Sequence, residues 1–554
     1  MNINAESHFA FNPEVEIKRS QFDRSWQHKT TFNAGELIPI YTEEVLPGDT
    51  FQVSTNLAIR MSTPIHPVMD NAYLDLYYFF VPSRLTWDHW KEFMGENNTT
   101  AWEQEVEYEI PQLIAPSPAG WQKGTIASYM GIPINIPNIS ISVLPIRAYV
   151  LIWNDWFRDQ NIQDPAFINK DETTRTGHNL DGIYQTTAQL GGRPLPVNKY
   201  HDYFTSALPE PQKGPDVLIP FGENAPVYGT GLELGLTDGT NYGGLSEGSS
   251  NQIGTNVFSG NYGVEVGKTS SGSNNMGASK AVGVTPEADK SGLAVDLTNA
   301  PATINELRTA FQLQKLYERD ARGGTRYTEV IKSHFGVTSP DQRQQRPEYL
   351  GGKRIPINMD QVLQTSATNE ISPQGNTAAF SLTNAQDTAG FTKSFTEHGY
   401  IIGLAAIRTE HTYQQGIERM WSRKRRFDYY WPALANIGEQ AILNKEIFAQ
   451  GNAEDDEAFG YQEAWAEYRY KPSRTSGAFS SSYEKTLDVW HYGDEWVQLP
   501  TLSDDFIKET KNNIDRTLAV NSTKEDQFLC DFYFNCTATR PMPIYSIPGL
   551  VDHN

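Results

Sequence analysis

The clearest alternation of hydrophobic and polar positions lies at residues 51–61. The odd-numbered positions share one side of this run and are mostly apolar: Phe51, Val53, Thr55, Leu57, Ile59 and Met61. Because successive side chains of a strand point to opposite faces, a period of two predicts a strand with one buried and one solvated face. The preceding Pro47-Gly48-Asp49 is typical of a turn.

Other apolar runs predict further strands. Residues 73–81 (YLDLYYFFV) are almost continuously apolar and end at Pro82, which indicates a strand buried on both faces. A third strand is predicted at 528–534, and weaker patterns lie at 355–363 and 399–407. Three helix patterns lie at 86–94, 146–157 and 304–319. In the last of them we expect Leu307, Phe311 and Leu316 to face inward.

These helices are few and do not alternate regularly with strands, which argues against a doubly wound α/β sheet. We therefore predict an antiparallel, all-β fold with helices confined to loops. The 43 glycines and 32 prolines, together with 12% aromatic residues, favour the same class.

Residues 231–290 differ from the rest of the chain. They hold 13 of the 43 glycines, many serines and asparagines, and no arginine occurs between Arg193 and Arg308. A long polar loop cannot be buried without leaving backbone polar groups unsatisfied, so it must lie on a surface. We predict one domain formed by residues 1–228 and 301–554, with residues 229–300 inserted into it as a surface protrusion.

Net charge, hydropathy and cysteine content argue against several classes of protein, namely free-standing DNA-binding, membrane-spanning and disulfide-rich secreted proteins. The formal net charge of -22 argues against a free-standing DNA-binding protein, although one basic face is compatible with it. The first residues lack a basic start and an apolar run, and no stretch predicts a membrane span, so we expect a soluble protein without a signal peptide. Cys530 and Cys536 share one face of a predicted strand at a distance too long for a disulfide, and we expect two buried thiols.

Motifs of catalysis are missing. The nearest to a phosphate-binding loop is GVEVGKT at 263–269, which is one residue short of the required spacing. We therefore expect no catalytic residues, no enzyme activity and no cofactor. One acidic run could hold a hard cation such as calcium, but it is more typical of a solvated loop: Glu454, Asp455, Asp456 and Glu457.

Basic residues cluster at three places. The strongest cluster is followed at once by aromatic residues, the combination that holds single-stranded nucleic acid through phosphates and base stacking: Arg423, Lys424, Arg425 and Arg426, then Phe427, Tyr429, Tyr430 and Trp431. An interface or solvated face explains the same residues about equally well. The two weaker clusters are Lys18, Arg19, Arg24 and Lys29 near the start, and Arg319, Arg322 and Arg326 after the third helix.

Five segments carry a family resemblance that spans nearly the whole chain. They are FDRSWQHKTTFNAGELIPIYTEEVLPGDTF (22–51), PVMDNAYLDLYYFFVPSRLTWDHWKEFMGE (67–96), INELRTAFQLQKLYERDARGGTRYTEVIKSHFGV with RPEYLGG (304–352), ERMWSRKRRFDYYWPALANIGEQ (418–440) and ATRPMPIYSIPGLVDHN (538–554). In this order they resemble the major capsid proteins of gokushoviruses, a branch of the microviruses. The glycine-rich segment matches no fixed pattern of that family.

The resemblance implies a single eight-stranded antiparallel jelly roll with long loops, assembled into a small icosahedral shell around a circular single-stranded DNA genome. It implies a virion protein assembled in the bacterial cytoplasm without membrane insertion. The implied partners are other copies of the chain, the packaged DNA, a small basic DNA-packing peptide, an internal scaffolding protein, a pilot protein and a receptor on the bacterial surface.

The resemblance also suggests roles for particular residues. The insertion would form a projection at the threefold axes that contacts the host, with apolar residues covering one another there: Val257, Phe258, Tyr262, Val264 and Val266. Because a shell must hold DNA although the chain is acidic, we predict these DNA-facing residues: Arg423, Lys424, Arg425, Arg426, Tyr429, Tyr430, Trp431, Lys18, Arg19 and Arg24. From the residues alone, a secreted carbohydrate-binding or carbohydrate-cleaving β-protein stays open as an alternative, disfavoured by the missing signal peptide and the unbridged cysteines.

Overall fold

The computed structural model describes residues 17–98, 106–217, 304–366, 368, 373–375 and 377–545, together with the backbone of short strands between 227 and 295. In chain order the strands are β1 (Ser20–Asp23), β2 (Trp26–Phe32), β3 (Ile38–Val45), β4 (Thr50–Met61), β5 (Ala72–Pro82), β6 (Gln112–Ile114), β7 (Ser140–Ser142), β8 (Arg175–Thr176), β9 (Val227–Gly229), β10 (Leu234–Thr237), β11 (Tyr242–Leu245), β12 (Gly283–Val284), β13 (Leu293–Val295), β14 (Glu348–Pro356), β15 (Asp360–Leu363), β16 (Thr377–Phe380), β17 (Thr383–Ser394), β18 (Gly399–Thr409), β19 (Glu439–Leu443), β20 (Ala458–Glu463) and β21 (Phe528–Arg540).

The helices are short, with one exception. They are α1 (Ser83–Thr86), α2 (Trp90–Phe93), α3 (Ile126–Tyr129), α4 (Leu144–Ile152), α5 (Tyr184–Thr187), α6 (Ile304–Gly323), α7 (Tyr327–Phe335), α8 (Asn444–Ile447), α9 (Asp504–Ile507) and α10 (Asn512–Asp515). A π-helical turn, Trp153–Phe157, continues α4. Within the described ranges, no helix is both long and apolar enough to cross a membrane.

Two antiparallel sheets form a sandwich. In the five-stranded sheet, β21 pairs with β4 on one side and with β1 and β2 on the other, and β17 lies beyond β4. The four-stranded sheet has the order β14-β5-β18-β3. Apolar side chains of both sheets meet in one core, for example Phe532 of β21, Leu57 of β4 and Tyr78 of β5. The all-β class with short helices in the connections is therefore confirmed.

The two strongest strand predictions are confirmed in detail. The odd-numbered residues of β4 are buried and the even-numbered ones are more exposed, as a strand with one solvated face requires. Strand β5 is buried on both faces, because the loops around α4 cover the face that points away from the sandwich core. There Phe79 and Val81 join a second apolar cluster with Trp87, Tyr149 and Trp153.

Several weaker predictions are wrong in part. The predicted strand at 355–363 is broken, because β14 ends at Pro356 and β15 begins only at Asp360. The helix predicted at 86–94 shrinks to α2, since Trp87 adopts an extended backbone and buries its ring. Helix α6 forms, but Phe311 and Leu316 are exposed instead of facing inward.

The chain divides into two compact units, residues 1–213 with 318–554, and residues 214–317. The first unit contains the sandwich. The second contains β9 to β13, which form two small antiparallel sheets. The predicted insertion at 229–300 lies within the second unit, and its exact boundaries stay a prediction.

Candidate nucleic-acid interface

The strongest basic cluster lies in a segment without extended secondary structure. Three 3-10 turns follow one another here: Arg419–Ser422, Arg426–Asp428 and Pro432–Leu434. The carboxylate of Asp428 accepts hydrogen bonds from the backbone N–H groups of Lys424 and Arg425, each at 2.7 Å. These bonds to Lys424 and Arg425 lower the pKa of Asp428. We call residues 421–431 the basic–aromatic loop.

Arg423 is the one basic residue of this loop that is packed inside the molecule. Its side chain is only 9% exposed, and its Nη2 lies 3.1 Å from Oε1 of Glu467. Its guanidinium stacks on Tyr468 at 4.5 Å and on Tyr429 at 5.2 Å. Since Glu467 compensates its charge, Arg423 anchors the loop and contributes little free positive charge.

The next three basic residues, Lys424, Arg425 and Arg426, are exposed. Among the described residues, none of these three side chains forms an ion pair with a carboxylate. Arg426 stacks on the Trp431 ring at 4.6 Å, and Trp431 Nε1 donates to the backbone oxygen of Arg426 at 3.1 Å. The loop therefore presents three exposed cations that are outside any direct ion pair with a described carboxylate.

Aromatic rings surround these cations and are also open to solvent. Phe427 is 69% exposed, and Tyr429, Tyr430 and Trp431 are exposed as well. Trp421, which the sequence reasoning missed, is 71% exposed. Its position two residues before Arg423 was a usable signal. Large exposed rings beside free cations can stack on bases and bind phosphates.

A cavity of about 240 Å³ lies against the start of this loop. Its lining includes Tyr203, Arg419 and Glu446, which form a buried polar group. The carboxylate of Glu446 accepts from Arg419 Nη1 at 3.2 Å and from the Tyr203 hydroxyl at 3.0 Å. Burial raises the pKa of Glu446, which the neighbouring Arg419 partly offsets. Sequence spacing gave no signal for this contact, because Tyr203 and Glu446 are far apart in the chain.

The other two basic clusters are compensated in part, through ion pairs of Arg24, Lys29, Arg322 and Arg326. Arg24 donates to both carboxylate oxygens of Glu43 at 2.8 Å, while Lys18 and Arg19 are exposed. Arg322 pairs with Glu439 and Glu463. Arg326 donates to the backbone oxygens of Asn154 and Arg158. The third cluster therefore holds the sandwich loops together.

The acidic run closes a turn. Asp455 accepts from the backbone N–H groups of Gln450 and Gly451 at 2.9 and 2.7 Å, and Asp456 pairs with Lys445. Within the described ranges, no group of three or more histidine, cysteine or acidic side chains is placed to hold a metal ion. The carboxylates of Glu454, Asp455 and Asp456 thus make local hydrogen bonds or ion pairs.

Comparison with known proteins decides the class of this chain. Residues 11–550 match a phage family described as capsid protein (F protein). The chain belongs to this capsid-protein family. It is 43% identical to capsid protein VP1 of Bdellovibrio phage phiMH2K, with 98% of this chain and 97% of the relative covered. Identity is 41% to VP1 of Chlamydia phage 1 and 44% to VP1 of Spiroplasma virus 4, each over at least 98% of both chains.

Membership in the capsid-protein family confirms the resemblance to microvirus coat proteins and the structural, non-enzymatic role. The carbohydrate-protein alternative finds no support. The family also implies that copies of the chain assemble into a shell, so the protein is a virion component. The five predicted host-contact residues, Val257, Phe258, Tyr262, Val264 and Val266, lie outside the described residues.

Proposed function

We propose that the basic–aromatic loop faces the packaged single-stranded DNA inside the shell. The observation that carries this proposal is the set of three exposed cations without carboxylate partners, Lys424, Arg425 and Arg426, beside exposed aromatic rings. The chain as a whole has a net charge of -22, so it repels DNA unless positive charge is concentrated at the contact. Lys18, Arg19 and Arg24 are the second set of proposed DNA contacts.

Different residues of the loop anchor it and face the solvent, and this arrangement supports the proposed role. Arg423 and Tyr430 pack against Tyr468 and hold the loop in place, while Lys424 and Arg425 are free to bind phosphates. Phe427 and Trp421 offer faces on which bases can stack, an interaction that tolerates any base sequence. A coat protein needs such tolerance, because every copy meets a different part of the genome.

The test replaces Lys424, Arg425 and Arg426 by glutamine in the full chain. We expect shells to assemble with less DNA after nuclease treatment, measured by absorbance and by quantitative amplification. The salt dependence of oligonucleotide binding should become shallower by about 2 in the log–log slope, because each lost phosphate contact on single strands contributes about 0.7.

A matched control replaces three exposed lysines elsewhere, Lys332, Lys485 and Lys524, by glutamine, which changes the net charge by the same amount. Control shells should keep their DNA. Equal DNA content in both variants would refute the proposed contact, because net charge alone would then explain any loss.

We further propose that the sandwich is an eight-stranded jelly roll and that the shell is icosahedral. Its assembly takes place in the bacterial cytoplasm with an internal scaffolding protein, and a pilot protein joins the particle. A small basic peptide supplies the positive charge that this acidic chain lacks. The antiparallel order of both sheets and the acidic composition support these proposals.

Residues 229–300 are proposed to project from the outer surface and to bind a receptor on the host. Their lack of arginine suits a face turned away from DNA, and glycine, serine and asparagine offer adaptable hydrogen bonding. The apolar residues Val257, Phe258, Tyr262, Val264 and Val266 would cover one another where copies meet at a symmetry axis.

A further inference from the structure

An open groove of about 430 Å³ lies on the outer face of the four-stranded sheet, beside β14 and the π-helical turn. We call it the aromatic groove, and its principal residues are Tyr77, Phe79, Trp156, Tyr200, Tyr349 and Arg354. We propose that the aromatic groove binds residues 1–16 of a second copy of this chain. This inference rests on self-assembly of the family and is independent of the proposed DNA contact.

Three rings form one wall of the groove. The ring centre of Phe79 lies 5.4 Å from Trp156 and 5.5 Å from Tyr349, and Trp156 lies 5.8 Å from Tyr349. Tyr349 is 44% exposed. A cluster of rings with an open face can accept further aromatic side chains at distances that favour ring–ring contact.

The floor of the groove carries a surplus of positive charge. The buried carboxylate of Asp75 binds the Nε atoms of Arg354 and Arg408, both at 2.9 Å, and the Tyr200 hydroxyl at 2.8 Å. Two guanidinium groups thus share one carboxylate. The Arg354 side chain is 50% exposed and stacks on Tyr200 at 3.9 Å. A carboxylate from another segment would complete the charge balance.

One acceptor in the groove lacks a donor. The side-chain oxygen of Asn198 is buried and has no hydrogen-bond partner among the described residues. The amide nitrogen of Asn198 already donates to Gln163 at 2.9 Å. This oxygen is covered in the free chain, so an N–H of a bound peptide pairs with it only if neighbouring side chains of the groove move. Leaving such a buried acceptor unpaired costs about 1–3 kcal/mol.

The first sixteen residues, MNINAESHFAFNPEVE, have the complementary chemistry. They carry Glu6, Glu14 and Glu16 and no lysine or arginine. In an extended segment, Phe9 and Phe11 share one face, because side chains alternate with a period of two. Sixteen extended residues span about 55 Å, which is long enough to reach a neighbouring subunit.

The position of β1 favours a second copy over the same chain. Residues 1–16 precede β1, which lies at the edge of the five-stranded sheet. This edge lies near β3 of the other sheet, because Arg24, just after β1, donates a hydrogen bond to Glu43 of β3. The aromatic groove lies beside β14, at the opposite edge of the four-stranded sheet. A segment from a neighbouring copy can enter the groove without wrapping around its own sandwich.

Single-stranded DNA is the rival occupant and fits less well. Both arginines of the groove are tied to Asp75, so only one surplus charge faces a ligand. The basic–aromatic loop, in contrast, has three exposed cations outside any direct ion pair with a described carboxylate. One carboxylate of an acidic peptide can pair with that surplus charge, and two phenylalanines can pack on the rings of the groove.

The first experiment measures binding of a fluorescent peptide of residues 1–16 to the full chain carrying Phe9→Ser and Phe11→Ser. These changes leave the groove unfilled, so the peptide should bind, and Tyr349→Ala should weaken binding by about tenfold, a loss typical of a central aromatic contact. Tyr470→Ala, at an exposed ring outside the groove, is the control. No binding, equal binding to the Tyr349→Ala chain, or displacement by oligothymidine would overturn the proposal.

The second experiment identifies the copy that supplies the segment. One tagged chain carries Ala10→Cys and a differently tagged chain carries His201→Cys, so that Phe79, Trp156 and Tyr349 and the cation Arg354 are all kept. After mixed assembly and oxidation, we expect disulfide-linked pairs of the two tags. A double variant that links only within one chain, or the absence of any link, would overturn the assignment to a second copy.

Discussion

At the residue scale, the best-defined polar feature is a buried network around His411. Its Nδ1 lies 3.0 Å from Asp494 and its Nε2 lies 2.9 Å from Glu509. Lys199 also binds Asp494, at 3.0 Å, and Asn513 donates to the same carboxylate at 2.7 Å. Burial alone lowers the pKa of His411, but the two carboxylates outweigh it and raise the pKa to about 10. Two cations thus balance two buried carboxylates.

Replacing His411 by glutamine should lower the free energy of unfolding by about 3–5 kcal/mol near neutral pH, because a buried carboxylate loses its partner. The pKa of His411 in the folded chain, about 10, exceeds the ordinary value of 6.5. The charged histidine therefore adds its full stabilisation to the free energy of unfolding below pH 6.5, and this stabilisation is lost as the pH rises toward 10.

Denaturant unfolding of both chains at several pH values checks this prediction. The difference between wild type and His411→Gln should be largest at low pH and shrink toward pH 10. His201→Gln, at an exposed histidine, is the control and should change little. A difference that grows with pH would contradict the assigned charge state.

At the scale of elements, β21 at the centre of the five-stranded sheet shows how a strand holds the sandwich together. Its residues alternate between buried and exposed from Phe528 to Cys536. Cys530 and Cys536 share the buried face and are both free thiols, as predicted. Burial raises the pKa of Cys530, so this thiol stays protonated and behaves as a small apolar side chain.

Neighbouring aromatic residues of β21 should therefore differ sharply in their contribution to stability. Phe532→Ala removes a fully buried ring and should cost about 3–5 kcal/mol. Tyr533→Ala, on the exposed face, should change the free energy of unfolding by about 0.5 kcal/mol. Urea unfolding of the two variants measures both values. Similar losses would mean that the exposed face is also covered.

At the scale of the whole molecule, the chain combines a β-sandwich with a segment that differs from it in composition, being rich in glycine, serine and asparagine. The sandwich and its loops belong to one compact unit, and residues 214–317 form another. We expect the first unit to supply the contacts on which shell assembly depends. The proposed receptor contact needs only the second.

Deleting residues 235–280 should therefore leave assembly intact and abolish attachment to host cells. Sedimentation of the particles measures assembly, and adsorption to bacteria measures attachment. A control deletion is unnecessary for assembly, because intact particles show that the sandwich has folded. Normal infection by the deleted particles would refute the receptor role, and failure to form shells would make the segment an assembly element.

The sequence by itself determined the elements whose signal is local. The period of two in β4 and the continuous apolar run of β5 are statements about which faces are buried, and both hold in the structure. The family could also be recognised from the sequence, because five long segments in a fixed order are far more specific than any short motif. Of the two weaker runs, 399–407 forms β18, whereas 355–363 is broken because β14 ends at Pro356 and residues 357–359 form no strand.

Only the tertiary structure decided which charges are free. The sequence showed four basic residues in a row, yet Arg423 is neutralised by Glu467, more than forty residues away, while Lys424 and Arg425 stay exposed. The aromatic groove likewise combines β5, the turn after α4 and β14. Ion pairs and ring clusters depend on distances across the fold, and residues distant in sequence meet only when the strands have paired.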